Sequence, residues 1–570
     1  MADQLSSDLS PSANLRRAYR ALAEHDDPAL FISLKPEAAA LAEAAALEAA
    51  GPAGRPLYGL VFAVKDNIDA AGLETTAACP AFAYEPRGSA FVVERLEKAG
   101  AIVIGKANLD QFATGLVGVR SPYGVSRNAL RADLIPGGSS SGSAVAVAAG
   151  IVDFALGTDT AGSGRIPAGM NGIVGLKPSL GLLSSTGMVP ACRTLDTISV
   201  FARDVAMAVR VTAAAAAYDV ADAYSRALPA PVLSAPPPAF RVGVPKPEQR
   251  KFFGDDHAEA AFAADIARLA TLGATVVELD FEPLHAVARL LYEGPWVAER
   301  YAATKPLIET NPEAFHPTTL KIIGGAKGLT AVSAFEATYR LADLRRATAP
   351  ILSLVDVLAV PTVPRAYTVA ELEADPIALN SNLGSYTNFV NLLDMAAIAV
   401  PSGRRGDGLP SSLTFIGKAG ADGYLASIAA AVAGQPATGP VRALGRIEIA
   451  VVGAHLSGLP LNHELVGLGG VFVRAAATTS DYSLYALPNT TPPKPGLLRT
   501  GAGAAIAVEV WALDAAGFGE FVSRIPAPLG IGTLSLDDGT AVKGFLVEAE
   551  AVKGAEDISA YGGWRAYLKR

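Results

Sequence analysis

The chain has 570 residues, more than one ordinary domain holds, so at least two domains are expected. It is 51% hydrophobic and 18% charged, which suits a large α/β enzyme core, and its formal net charge of −8 offers no basic surface to nucleic acid. Two cysteines, Cys79 and Cys192, exclude a disulfide framework. No apolar stretch reaches membrane-spanning length, and residues 1–8 lack the regions of a signal peptide, so a soluble cytoplasmic protein is expected.

Residues 10–50 alternate short polar clusters with alanine-rich runs up to Gly51-Pro52 and read as a helical lead-in. Strands are expected over 60–64, 101–104 and 150–156, with a helical pattern over 90–98, an alternation that favours a sheet with helices on both faces. Lys65 follows the first apolar run, at the strand end where α/β sheets place their sites; it is either a snorkelling edge residue or a buried base. Cys79, before Pro80, reads as a packing residue in a loop. The segment Gly105-Lys-Ala-Asn-Leu-Asp-Gln-Phe-Ala-Thr-Gly115-Leu reads as a strand-to-helix connection with Asn108 as N-cap.

The stretch from Pro136 to Pro167 organises the chain. Pro-Gly-Gly-Ser-Ser-Ser-Gly-Ser leads into a small-residue run over 144–150 with the composition of a buried helix, and Gly157-Thr-Asp-Thr-Ala-Gly-Ser-Gly-Arg-Ile-Pro follows. Glycines let backbone amides approach a bound group, and a loop entering a helix offers unpaired donors to developing negative charge. Serines in two such loops point to nucleophilic chemistry with an oxyanion site. A glycine-rich turn before a core helix is the plainer alternative for either loop alone. The phosphate-loop pattern Gly-x-x-x-x-Gly-Lys-Ser/Thr is absent, and Ala161 and Arg165 break a Gly-x-Ser-x-Gly elbow at Ser163. A serine needs a base, and no histidine lies between 26 and 256, which directs attention to Lys65.

Residues 227–240 form a proline-rich connector, and a strand resumes at Arg241-Val-Gly-Val-Pro. A helix over 258–274 and a strand from Ala274 follow, and then core strands from Val357 and Ala396, with the segment 386–394 between them. In Leu291-Tyr292-Glu-Gly-Pro-Trp-Val-Ala-Glu-Arg300, Gly294-Pro295 kinks or starts a helix, with Pro295 suited to a first turn. A domain boundary is expected over 434–444. Beyond it lie strands over 447–452, 484–487, 505–512 and 544–548, with turns at Asp538-Gly539 and Lys494-Pro495-Gly496.

Three segments, Ala63-Val-Lys65-Asp-Asn, Gly137-Gly-Ser139-Ser-Ser-Gly-Ser and Gly157-Thr-Asp-Thr-Ala-Gly-Ser163, resemble in order and spacing the Ser-cisSer-Lys triad of the amidase-signature family. The interval between Ser139 and Ser163 singles out Ser139 among its neighbours. Two departures are Ala161, where the family often has glycine, and Gly164, where it often has isoleucine. The resemblance implies Lys65, Ser139 and Ser163 as catalytic residues and the amides of Thr160, Ala161, Gly162 and Ser163 as oxyanion donors. It further implies an α/β fold, a mixed sheet flanked by helices. The Asn108 to Gly115 segment and Tyr292-x-x-Pro-x-x-x-x-Arg300 look like the allophanate hydrolase branch, which implies substrate binding by Gly115, Tyr292 and Arg300. Segments around His455 and 482–499 resemble the C-terminal domain of that branch, implying a smaller α+β domain similar in fold to γ-glutamylcyclotransferase-like proteins, with His455 as its candidate functional residue.

Domains over 1–435 and 446–570 are therefore expected. The implied reaction is hydrolysis of allophanate to ammonia and N-carboxycarbamate, with no cofactor or metal, by a homodimer linked in function to a biotin-dependent urea carboxylase and contacting neither nucleic acid nor membrane. Two alternatives stay open: another amidase-signature enzyme, such as an amidotransferase subunit, and a C-terminal unit that serves only interaction.

Overall fold

The computed structural model describes residues 10–435 and 445–570; most of the boundary expected over 434–444 lies outside these residues, as does the segment 1–8. The lead-in forms helices Pro11–His25 and Glu37–Ala50, the first capped by Ser10, whose hydroxyl accepts the Ala13 amide. Between them lies a strand that the sequence reading did not anticipate, Phe31–Leu34 (β1), too short for an alternating pattern to register. The three expected strands appear as Val61–Lys65 (β2), Ile102–Ala107 (β3) and Phe154–Asp159 (β4), with the helix Phe91–Lys98 after β2. Each is buried along its whole length, and β2 runs parallel to both β3 and β4. Uninterrupted apolar runs are what a strand covered on both faces requires.

Seven further strands follow: Val174–Lys177 (β5), Thr197–Ala202 (β6), Phe240–Pro245 (β7), Ala274–Leu279 (β8), Val357–Pro361 (β9), Met395–Arg404 (β10) and Pro410–Lys418 (β11). Together they make an eleven-stranded sheet in the order β1-β3-β2-β4-β6-β5-β10-β11-β9-β7-β8. The pairs β1/β3, β4/β6, β5/β6, β5/β10, β10/β11 and β11/β9 are antiparallel, so the sheet is mixed. The connector over 227–239 forms neither helix nor strand, as its prolines dictate. By contact density the chain divides into two compact units, one of residues 1–230, 243–268 and 277–419, the other of 231–242, 269–276 and 420–570.

The second unit is richer in strand than in helix. Its strands are Ile447–Val451 (β12), Val471–Ala477 (β13), Tyr482–Ala486 (β14), Pro495–Arg499 (β15), Ala507–Leu513 (β16), Leu529–Ser535 (β17), Ala541–Val547 (β18) and Glu556–Asp557 (β19). Five form a sheet ordered β13-β16-β12-β18-β17 and three a second, β15-β14-β19. Trp511 on β16 is fully buried against Phe472, ring centroids 5.6 Å apart. The turn expected at 538–539 joins β17 to β18, but the one expected at 494–496 does not form: Pro495 opens β15, and the chain reverses earlier, where Asn489 adopts positive φ. Among the described residues no helix is long and apolar enough to cross a membrane.

Candidate active site

Lys65 ends β2, and the parallel neighbour β4 ends in Thr158-Asp159, so both deliver side chains to one rim of the sheet. Lys65 is fully buried, not a snorkelling edge residue, and its Nζ lies 2.7 Å from both Ser139 Oγ and Thr158 Oγ1. Desolvation lowers its pKa to about 7; Asp110, Asp196 and Asp159 pull upward, and Arg300 adds to the fall.

The Gly138–Ser139 peptide is cis. The other serines of the run point elsewhere: Ser140 Oγ donates to Thr158 O at 3.2 Å, Ser141 Oγ to Asn108 O at 3.4 Å and Ser143 Oγ to Leu156 O at 2.9 Å. Their hydroxyls are satisfied by backbone carbonyls, so they can enter the core. The helix therefore begins at Ser141 and runs to Ala148, not over 144–150.

Asp159 shapes the second loop. Its buried carboxylate accepts the amides of Gly162 and Gly164, each at 3.0 Å, and Arg165 Nε and Nη2, each at 2.9 Å. Burial pushes this carboxyl up, but Arg165 and Lys177 more than offset it and hold the pKa below the ordinary value. Of the four amides expected at the oxyanion site, that of Gly162 is thus turned onto Asp159. Those of Thr160, Ala161 and Ser163 make no hydrogen bond among the described residues. A Cβ at Gly164 would meet Ser199 Cβ at 2.5 Å, a reason for glycine where the family often has isoleucine.

Ser163 Oγ donates to Gly115 O at 3.5 Å, and no hydrogen bond joins the Ser139 and Ser163 hydroxyls among the described residues. Gly115 has φ of +157°, and a Cβ there would lie 2.6 Å from Asp110 Oδ2. Asp110 accepts the amides of Val117, Gly118 and Arg120, while its own amide donates to Ser139 O at 3.0 Å, tying this segment to the serine loop. Asn108 is not an N-cap. Its amide group donates to Ala29 O and Gly124 O, and only a single 3-10 turn, Gln111–Ala113, follows.

Gly294-Pro295 separates helices Glu282–Glu293 and Val297–Thr310, and Pro295 stands in the break rather than in a first turn. The break presents Tyr292 to Arg300, whose guanidinium carbon is 5.8 Å from the Tyr292 ring centroid. Arg300 is buried, Nη1 donates to Cys192 Sγ at 3.1 Å, and Nε has no partner. Burial alone would lower its pKa, but Cys192, Tyr292, Asp196 and Glu299 raise it, so the guanidinium stays charged. Tyr292 lines a cavity of about 240 Å³ with Lys251, His285 and Asn388. The preceding Thr387 abuts the second loop: a Cβ on Gly162 would be 2.5 Å from its Oγ1.

In the second unit His455 Nε2 lies 2.9 Å from Glu464 Oε2, and its ring packs on Phe521 and Phe545. These residues line a cavity of about 270 Å³ with Lys494 and Arg524. The side chain of His455 is therefore held by a carboxylate. Sequence reading missed Thr158, Asp110, Asp159 and Cys192. The first three lie inside quoted motifs, but Cys192 is 108 residues from Arg300 and had no local signal.

A neutral-capable lysine bonded to one serine, together with a second serine on a loop that carries three unengaged amides, is an arrangement for acyl transfer without histidine. The model of the family described as Amidase matches residues 13–425. The chain belongs to the amidase family. The model of the allophanate hydrolase C-terminal domain matches residues 447–569 of this amidase. Urea amidolyases of Lachancea kluyveri and Saccharomyces cerevisiae are 45% and 44% identical to it over 544 and 547 residues, in each case 90% of this chain. The chain spans about 30% of the length of these curated relatives. Among solved structures, the allophanate hydrolase of Kluyveromyces lactis superposes with a TM-score of 0.77 at 41% identity, covering 99% of this chain and 97% of that one. The K. lactis urea amidolyase gives the same score and identity, with 36% of its chain covered.

Proposed function

We propose that this amidase hydrolyses allophanate to ammonia and N-carboxycarbamate. The observation that carries the reading is Arg300, a buried guanidinium beside Tyr292 whose Nε has no partner and which suits a small substrate bearing a carboxylate. The match to the K. lactis allophanate hydrolase over nearly its whole length supports it. Arg300 and Tyr292 hold the carboxylate and aim the amide at Ser163. Ser163 Oγ adds to the amide carbonyl while its proton passes to Ser139, whose own proton goes to neutral Lys65. The amides of Thr160, Ala161 and Ser163 receive the oxyanion. Lys65 returns its proton through Ser139 to the leaving nitrogen, and ammonia departs. Water then displaces Ser163 by the same relay and releases N-carboxycarbamate. Apo catalytic hydrogen bonds are often long, so a Ser139–Ser163 bond that forms with substrate fits this course.

His455, held by Glu464 in a cavity with two cationic side chains, is assigned to the decarboxylation of that product. Domains over 1–435 and 446–570 are supported by the spans of the two family models, and a γ-glutamylcyclotransferase-like fold by the strand-rich second unit. A cytoplasmic homodimer linked to a biotin-dependent urea carboxylase completes the proposal; the urea amidolyase relatives, of which this chain matches one part, support the link. Ammonia release measured across allophanate, malonamate, urea and simple amides tests the reading. Preference for a simple neutral amide over both acidic amides would overturn it.

A further inference from the structure

A second guanidinium lies at the same site. Arg120 is buried, Nη1 donates to Thr114 O at 2.8 Å and Nη2 to Pro376 O, and Nε has no partner. Among the described residues its guanidinium makes no ion pair: the Asp110 carboxylate favours its charge from nearby, but its oxygens accept three backbone amides rather than the guanidinium. Two carbonyls and a carboxylate out of direct contact leave Nε unpaired on a buried charge that cannot be shed by deprotonation. Arg120 also stands close to the reacting serine: a Cβ on Gly115 would be 3.1 Å from its Nη1, and the Gly115 carbonyl is the acceptor for Ser163 Oγ. Both arginines reach Tyr292 electrostatically: burial pushes its phenol up, and Arg300 and then Arg120 draw it back. The loop bearing Arg120 packs on the region after the Arg300 helix through Phe112 and Phe315, ring centroids 5.1 Å apart.

We infer that Arg120 gives the pocket a second cationic end, so that it prefers a small dicarboxylate, with Arg300 holding one carboxylate and Arg120 facing the other beside Ser163. The inference rests on the acidic-amide reading above. Hydrolysis of an acidic amide creates a second carboxylate at the carbon that Ser163 attacked, which is the end where Arg120 stands. Arg120 is a specificity-determining residue that acts by charge at the amide-to-carboxylate end; Arg300 sets the requirement for the first carboxylate.

Malonamate and malonate have nearly the same size and differ by one negative charge, so their affinities isolate the effect. Calorimetric titration of the Ser163→Ala protein, which cannot turn malonamate over, should show malonate binding about tenfold tighter or more, the scale of a charge-assisted contact. Adding Arg120→Gln should abolish that preference, whereas Arg120→Lys, which keeps the charge and loses the planar fork, should retain part of it. Adding Arg300→Lys should weaken both ligands by similar factors. Equal weakening of both ligands by Arg120→Gln, or no preference for malonate at the outset, would overturn the inference and leave Arg120 a strut between Thr114 and Pro376. If the Gln variant fails to fold by circular dichroism, the Lys variant decides: a preference lost although the charge is kept counts against the inference. Should wild-type protein fail on allophanate while the Arg120-dependent preference persists, the functional reading falls alone. Turnover of allophanate with no Arg120-dependent preference sinks only the inference.

Discussion

Lys65 is the residue on which the relay turns, and its burial makes a double prediction for Lys65→Met. Lowering an ammonium from its ordinary 10.5 to about 7 corresponds to about 5 kcal/mol of preference for the neutral form inside the protein. The group must be neutral to accept a proton, so wild-type kcat/KM should rise with pH through about 7 and level off above it. Lys65→Met should lose about a thousandfold or more in kcat at every pH, within the range assigned to general acid–base catalysis or above it. Stability should move the other way. A lysine whose folded pKa lies below its unfolded value costs stability in full below the folded pKa, and the cost fades as pH rises towards the unfolded one. Methionine removes that cost, so the variant should gain up to about 5 kcal/mol at pH 6 but only about 2 kcal/mol at pH 9. Ammonia release between pH 5.5 and 9, with thermal or denaturant unfolding of both proteins at pH 6 and 9, reads both effects. A flat activity profile through pH 7, or a folded Lys65→Met protein with a tenth of wild-type activity, would refute the reasoning.

Three further outcomes are expected. Arg300→Lys should lose about 1.5–3 kcal/mol in kcat/KM on allophanate, since lysine keeps the charge without the paired donors, and less on a neutral amide; equal losses on both would make Arg300 a structural residue. Gly115→Ala should reduce kcat sharply, because its Cβ would fall 2.6 Å from Asp110 Oδ2 and displace the carbonyl that meets Ser163; unchanged steady-state rates would show that this carbonyl has no part in positioning. Cys192→Ala should raise KM for allophanate more than it lowers kcat, since Arg300 Nη1 loses its sulfur acceptor, and Cys192→Ser should recover most of the loss; identical kinetics in all three proteins would dismiss the contact.

What the sequence by itself determined was local. Each parallel core strand opens with an apolar run, so β2, β3 and β4 were legible within a few residues, and the proline-rich connector could form nothing regular. Lys65, Ser139 and Ser163 stood out because the chemistry needs those residue types in short, glycine-rich contexts. Tertiary structure decided what depends on approach between distant segments. The spacing to Ser163 already singled out Ser139, but what keeps its neighbours off Lys65, backbone carbonyls of β4 and of Asn108 taking their hydroxyls, came only with the fold. That the Gly162 amide belongs to Asp159 depends on how one loop folds back on its own strand end. The thiol against Arg300 and the second buried guanidinium at Arg120 have no periodicity or motif to announce them, because their partners lie on other elements. The pKa of Lys65 is the clearest case. The sequence supplies an ordinary lysine, and only complete removal from water, set against three carboxylates brought from separate segments, leaves it close to neutrality.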